Sequence, residues 1–271
     1  MHVIDSLLLA IVASTPLLLA VEGETIVQRS GIINLGIEGM MLAGAMTSVL
    51  FGGYAGGIAG AAAMALLFGV FAIVLRADQI VTGTAINLLA LGLTGFIYRE
   101  MQPRFTMPIA HTRIDVVAIA AWIVVPVVLA WMLWRTKFGL RLRACGENPE
   151  AVTAARHSVA AHRWAALAIE SVLAGAGGAH LALVLSNGFA ENMTAGRGFI
   201  ALSIVIFGRW KMKGAILGTA VFGIAAAAQY ALQASGRGLP FHLLLAIPYV
   251  VTLLILCGIT GRVRAPEALG R

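Results

Sequence analysis

The chain reads as an all-α, polytopic transmembrane helical bundle of about eight to nine spans, with interrupted helices and an inverted repeat. Three observations predict it. The 271 residues are 60% hydrophobic and only 11% charged, against about 25% charged in an ordinary soluble domain. Apolar runs of near-bilayer length follow one another along most of the chain. One polar stretch, Arg135 to Arg163, interrupts them and holds six of the nineteen Lys and Arg residues. The net charge of +7 would suit nucleic acid, but the cations cluster between apolar runs, so topology accounts for them and no nucleic-acid partner is expected. Cys145 and Cys257 are too few for a disulfide framework.

The runs lie at Ser6–Val21, Gly31–Leu50, Tyr54–Leu75, Gln79–Tyr98, Ile114–Trp134, Trp164–Leu185, Met193–Gly208, Ala215–Leu232 and Phe241–Gly258. The first has no basic flank and no clear cleavage site, so it is expected to be a retained helix rather than a signal peptide. The run ending at Gly208 is short for a straight span of about 20 residues. Gly196 and Gly198 bracket Arg197 at its start, which predicts a broken or re-entrant helix. A comparable Gly-flanked polar approach, Arg29 to Gly36, opens the second run. Residues 1–113 and 164–271 therefore read as two inverted halves around one extra span at 114–134 and a loop at 135–163, within a single membrane domain 1–271.

Cation counting orients the bundle. With the C-terminal tail inside, fourteen cations face the cytoplasm: Arg29, Arg76, the six of the long loop, Arg209, Lys211, Lys213, Arg262, Arg264 and Arg271. Five face outward: Arg99, Arg104, Arg113, Arg197 and Arg237. The positive-inside rule places the long loop and the tail in the cytoplasm. Within that loop, Gly146-Glu147-Asn148-Pro149-Glu150-Ala151-Val152 has the grammar of a helix start. Asn148 caps the first free amides, Pro149 suits the first helical position, and Glu150 meets the positive end of the dipole. Arg156 and His157 then fall near its negative end.

Several side chains are candidates for a substrate path. Asn34 and Glu38 lie at the start of the second run, and Asn87 lies inside the fourth. Glu38 reads either as a pathway or gate residue or as a structural carboxylate bonded to helix ends or to an arginine such as Arg29. Asn87 suits a solute hydrogen bond or interhelical glue. Glu170 and Ser171, followed by Gly175, Gly177 and Gly178, form a polar, close-packing stripe in the second half, at a dimer seam or around a cavity. Asn187, Glu191, Asn192 and Arg197 cluster near the second polar approach, and His180 suits packing better than ligation. The chain has no phosphate-binding loop, so it is not expected to hydrolyse ATP. His and Cys show no metal-ligand spacing, and Ser171, Ser203 and His180 make no nucleophile–base motif.

The run Gly23 to Met41 resembles the N-terminal signature of ABC-transporter permeases of the branched-chain amino acid/ribose group, closest to the branch serving nucleosides and simple sugars. Asn87-Leu88-Leu89-Ala90-Leu91-Gly92 and Gly196-Arg197-Gly198-Phe199-Ile200-Ala201-Leu202 resemble two further stretches of that family. Phe138 to Val152 resembles its ATPase-docking loop. Cys145 and Val152-Thr153 stand where small residues are expected, and Glu170 is unusual in position. The resemblance implies a permease subunit, not an enzyme, of an ATP-driven importer in a bacterial plasma membrane. Its Asn148–Ser158 helix would couple to a cytosolic ATPase that binds ATP and Mg, with no cofactor in this chain. A second, longer permease and an extracytoplasmic solute-binding protein would complete the assembly. The alternative is an ion-coupled carrier of a small polar solute, which needs no docking helix.

Overall fold

The computed structural model describes residues 3–101, 116–234, 250 and 264–270. Apart from Val250, the predicted run Phe241–Gly258 lies outside them, as do Cys257, Arg104, Arg113, Arg237, Arg262 and Arg271. Every regular element among the described residues is a helix. They are α1 (Val3–Arg29), α2 (Ile37–Leu50), α3 (Gly53–Gly69), α4 (Gln79–Met101), α5 (Val116–Ile119), α6 (Val125–Arg135), α7 (Lys137–Glu147), α8 (Pro149–Ala154), α9 (Val159–His180), α10 (Arg197–Phe207) and α11 (Met212–Ala234). Single π-helical turns extend α3 through Val74, join α5 to α6 and extend α9 through Leu185.

Six helical stretches are long and apolar enough to cross a membrane: Ala10–Arg29, Gly53–Val74, Gln79–Met101, Val116–Arg135, Val159–Leu185 and Met212–Gln229. Helices α2 and α10 have 14 and 11 residues. At 1.5 Å per residue neither spans a hydrocarbon core of about 30 Å. The break expected before Arg197 is therefore present, and the second run, predicted as Gly31–Leu50, is helical only from Ile37.

The first predicted run stopped at Val21, whereas α1 continues to Arg29. Its last two turns carry polar side chains, but these are buried and bonded inside the bundle rather than turned toward water. Thr25 Oγ1 donates to Val21 O at 2.7 Å and Gln28 Nε2 donates to Glu24 at 2.7 Å. Helix α1 is the central element, with 83% of its spanning window buried, against 33% for α4 and 28% for α5–α6. Apolar residues such as Leu88, Phe96, Trp131 and Trp134 are exposed on those outer helices, as a lipid-facing surface requires.

Helix α9 packs on α1, α2 and α3. The Gly175 stripe makes this possible, because a Cβ at Gly175 would stand 2.7 Å from Gly57 O and one at Gly44 would stand 2.9 Å from Gly175 Cα. Such contacts need bare backbone on both helices. The glycine stripe, read from sequence as lying at a dimer seam or around a cavity, packs against α1, α2 and α3 of its own subunit.

The polar stretch holds two helices where one was expected. Helix α7 starts at Thr136, whose Oγ1 accepts from Gly139 N at 3.0 Å. Asn148 Oδ1 then caps α8 by accepting from Ala151 N at 3.0 Å, with Pro149 in the first position. The predicted Asn148–Ser158 helix ends early, at Ala154, because Arg156 turns left-handed at φ +59 and Ser158 caps α9 instead.

Candidate functional site

Glu38 lies in the first turn of α2 and binds the start of α10. Its Oε1 accepts from Gly196 N at 2.8 Å and its Oε2 from Gly198 N at 2.6 Å. A Cβ on Gly198 would stand 2.6 Å from Glu38 N, so the two short helices meet N-terminus to N-terminus. Both ends carry partial positive charge, and the carboxylate between them offsets both. Gly196 sits at φ +83, a left-handed conformation that favours glycine. Glu38 is thus bonded to a neighbouring helix end; Arg29 is committed elsewhere.

Asn87, on α4, fastens the same junction from the other side. Its Nδ2 donates to Leu35 O and its Oδ1 accepts from Gly39 N, each at 2.8 Å. Replacing Asn87 with Ala is expected to lower stability in detergent by about 1–3 kcal/mol, the cost of stranding two half-buried backbone groups. Thermal unfolding of the purified protein tests this, and an unchanged midpoint would contradict it.

Asn34 is completely buried in a second network. Its Nδ2 donates to Glu170 Oε2 at 2.6 Å, and its Oδ1 accepts from Gly36 N at 2.9 Å. Glu24 joins the same network, its Oε1 accepting from Asn34 N at 3.3 Å. Glu24 Oε1 accepts from Gln28 at 2.7 Å, and Gln28 Oε1 accepts from Trp210 Nε1 at 2.6 Å. A polar chain thus runs from the α1–α2 break to the α10–α11 turn through the buried core. Glu24, Gln28 and Trp210 were not singled out from sequence, because α1 was ended before them. The i, i+4 spacing of Glu24 and Gln28 beside Gly23 was the available signal. Glu22, fully buried, finds no hydrogen-bond partner among the described residues.

The remaining candidates disperse. Ser171 Oγ bonds its own helix at Ala168 O, 2.8 Å away. Asn192 is exposed, at φ +55 in the segment leading to α10. Glu191 pairs with Arg99 at 2.9 Å, and that guanidinium holds the Glu191 carboxyl below the usual carboxylate range. His180 Nδ1 hydrogen-bonds Tyr54 OH at 3.1 Å. Arg197 donates to Met193 O and Thr194 O, and lines a cavity of about 350 Å³ with Ser14, Leu17, Ser186 and Phe222. This cavity opens between α1, the end of α9, α10 and α11, beside the junction held by Glu38.

The face bearing Arg29, Arg209 and the polar stretch carries α8. Of its six residues Glu150, Ala151, Thr153 and Ala154 are exposed and only Val152 is buried. Gly146 is buried at its root, and Glu147 lies 3.8 Å from Arg29. Arg156 is exposed just beyond its end. Burial pushes the Cys145 thiol up, so it stays protonated and inert. A helix held out by a single apolar anchor, capped at its start, presents most of its surface to something outside the chain.

Known proteins resemble this chain along nearly its whole length. The family described as the branched-chain amino acid transport system permease component matches residues 6–258. The Nucleoside ABC transporter permease protein NupC of Lactococcus lactis is 34% identical over 100% of this chain and 98% of its own length. The Guanosine ABC transporter permease protein NupQ of Bacillus subtilis is 34% identical over 96% of this chain and 93% of its own. A putative glucose ABC transporter permease of Haloferax volcanii is 35% identical over 82% of this chain. No solved structure matches. With apolar helices that can cross a membrane repeatedly and a family match across residues 6–258, the chain belongs to the branched-chain amino acid transport system permease component family and is a multi-pass transport subunit rather than an enzyme.

Proposed function

We propose that the chain is the membrane subunit of an ATP-driven importer for a nucleoside, with α8 as the helix that docks in a separate ATPase. The projecting, capped α8 carries this reading, since it offers an exposed surface to a partner and the chain has no phosphate-binding loop of its own. The face with α7, α8, Arg76, Arg209, Lys211 and Lys213 is cytoplasmic, following its cations. ATP and Mg are bound by the partner, a second permease completes the channel, and a solute-binding protein delivers cargo to the opposite face.

The nucleoside assignment draws on the two relatives named for nucleosides and guanosine. It also suits the cavity beside Arg197, whose volume of about 350 Å³ falls in the range of small-molecule sites. Arg197, Ser14 and Ser186 offer polar contacts there, and Phe222 offers an aromatic wall. Alternating access would move α10 relative to α2 around the Glu38 junction, opening and closing that cavity. An ion-coupled carrier would need intramembrane acids open to an ion path. Glu24, Glu38 and Glu170 are instead buried and bonded within the fold, and Glu22, though unpartnered among the described residues, is fully buried.

Reversing charge at Glu147 and Glu150 together tests the docking role. Glu147→Lys/Glu150→Lys is expected to abolish co-purification of the ATPase and to cut nucleoside uptake at least about tenfold, since it reverses both acidic charges at the start of the docking helix, where electrostatic complementarity would set partner choice. Undiminished co-purification would refute the assignment of α8.

A further inference from the structure

Residues 266–270 form a short turn, with Leu269 N donating to Pro266 O at 3.1 Å. This turn is tied to two distant elements by its backbone. Ala268 N donates to Gly146 O at 2.8 Å, at the joint between α7 and α8. Gly270 N donates to Gly31 O at 3.0 Å, in the break between α1 and α2. Ala268 is buried and Leu269 packs against the main apolar core, so the turn is seated rather than draped.

The joint and the break also touch each other directly. A Cβ on Gly146 would collide with Arg29 O. One on Gly31 would stand 3.3 Å from both Cys145 O and Ala268 O, and Gly31 holds φ +93. Two glycines therefore let three backbone segments converge at one point. Around that point, Arg29 Nε donates to Trp210 O at 2.7 Å and lies 3.8 Å from Glu147, while Arg163 Nε donates to Ser30 O at 3.4 Å. The root of α8 is consequently joined to the broken start of α2 by hydrogen bonds, and not by chain continuity.

We infer that the turn Pro266–Gly270 is a strap that positions the coupling helix: by bonding Gly146 and Gly31 at once, it makes the α7–α8 joint and the α1–α2 break move as one body. This rests on the importer reading, in which α8 receives the motion of an ATPase. A joint free to bend at Gly146 would absorb that motion. A strapped joint delivers it to the segment Gly31–Gly36, and from there to Asn34, to the Glu38 junction and to α10. Ala268 and Gly270 touch no solute in this scheme; they are positioning residues.

Ala268→Pro removes the donor to Gly146 O and leaves α8 untouched. The variant and the wild-type permease would be assembled with the ATPase, the second permease and the binding protein in proteoliposomes, and nucleoside uptake and ATP hydrolysis followed together. The expected result is retained ATPase binding and retained hydrolysis, with uptake per ATP reduced about tenfold, the worth of one buried hydrogen bond at its upper range. Ala268→Gly keeps the N–H and should transport normally. If Ala268→Pro does not insert, Gly270→Ala decides the matter, because a left-handed alanine loosens the bond to Gly31 O and should lower the same ratio more mildly. Unchanged uptake per ATP, or loss of ATPase binding in place of loss of coupling, overturns the strap. A wild-type chain that binds no ATPase overturns the importer reading beneath it.

Discussion

Glu38→Ala is expected to nearly abolish nucleoside uptake while leaving the chain in the membrane. The carboxylate makes two charge-assisted hydrogen bonds to the first amides of α10, and bonds to a charged group are each worth about 1.5–3 kcal/mol. Removing both strands the buried Gly198 N, deprives Gly196 N of its partner, and leaves two positive helix ends facing each other. The combined loss is about 3–6 kcal/mol, applied at one junction rather than over the bundle. Glu38→Gln should fall between wild type and Ala, because its single carbonyl oxygen can serve one amide while its NH2 group meets the other unfavourably. Glu38→Asp should resemble Ala, being one methylene too short to reach both. Uptake of labelled nucleoside into cells, with membrane content followed by immunoblot, separates transport from insertion. Normal uptake by Glu38→Ala would show that α10 is held by other contacts.

The second large effect is expected at Glu170, and its size depends on the substitution. Glu170→Ala deletes the acceptor of the Asn34 amide, leaving that buried donor unpaired. A loss of about 1–3 kcal/mol follows, the cost of one stranded buried polar group. Glu170→Gln is different. Its carbonyl can accept from Asn34 Nδ2, which keeps that buried amide paired. The prediction is an unfolding midpoint near wild type for Gln and a clearly lower one for Ala, measured in the same detergent. Equal destabilisation by both would mean that the carboxyl group, and not its hydrogen-bond geometry, is what the site needs.

Much of the fold was legible because a membrane imposes length and polarity on every span. The Asn148–Pro149 start of α8 was legible too, since a cap and a first-turn proline act within a few residues and need no distant partner. Helix ends set by tertiary contact were not. Glu22, Glu24 and Gln28 look like a polar exit from the membrane, and only burial against α9 and the α10–α11 turn explains why α1 runs on to Arg29. Ser158 looked like the tail of the coupling helix, yet it caps α9, because Arg156 turns the chain first. Glu38 was left between gating and structure, and its role became readable only through Gly196 and Gly198, about 160 positions away.

The sequence by itself determined that this chain lives in a bilayer, which face carries its cations, and that one capped helix stands in its polar stretch. Those are consequences of composition and of hydrogen bonds closed within a few residues. Only the tertiary structure decided that two half-helices meet on one carboxylate, that Asn34 bonds Glu170 inside the core, and that residues 266–270 tie Gly146 to Gly31. Each of those is a hydrogen bond between segments far apart in the chain, and inside a membrane such a bond must find a protein partner because no water can take its place.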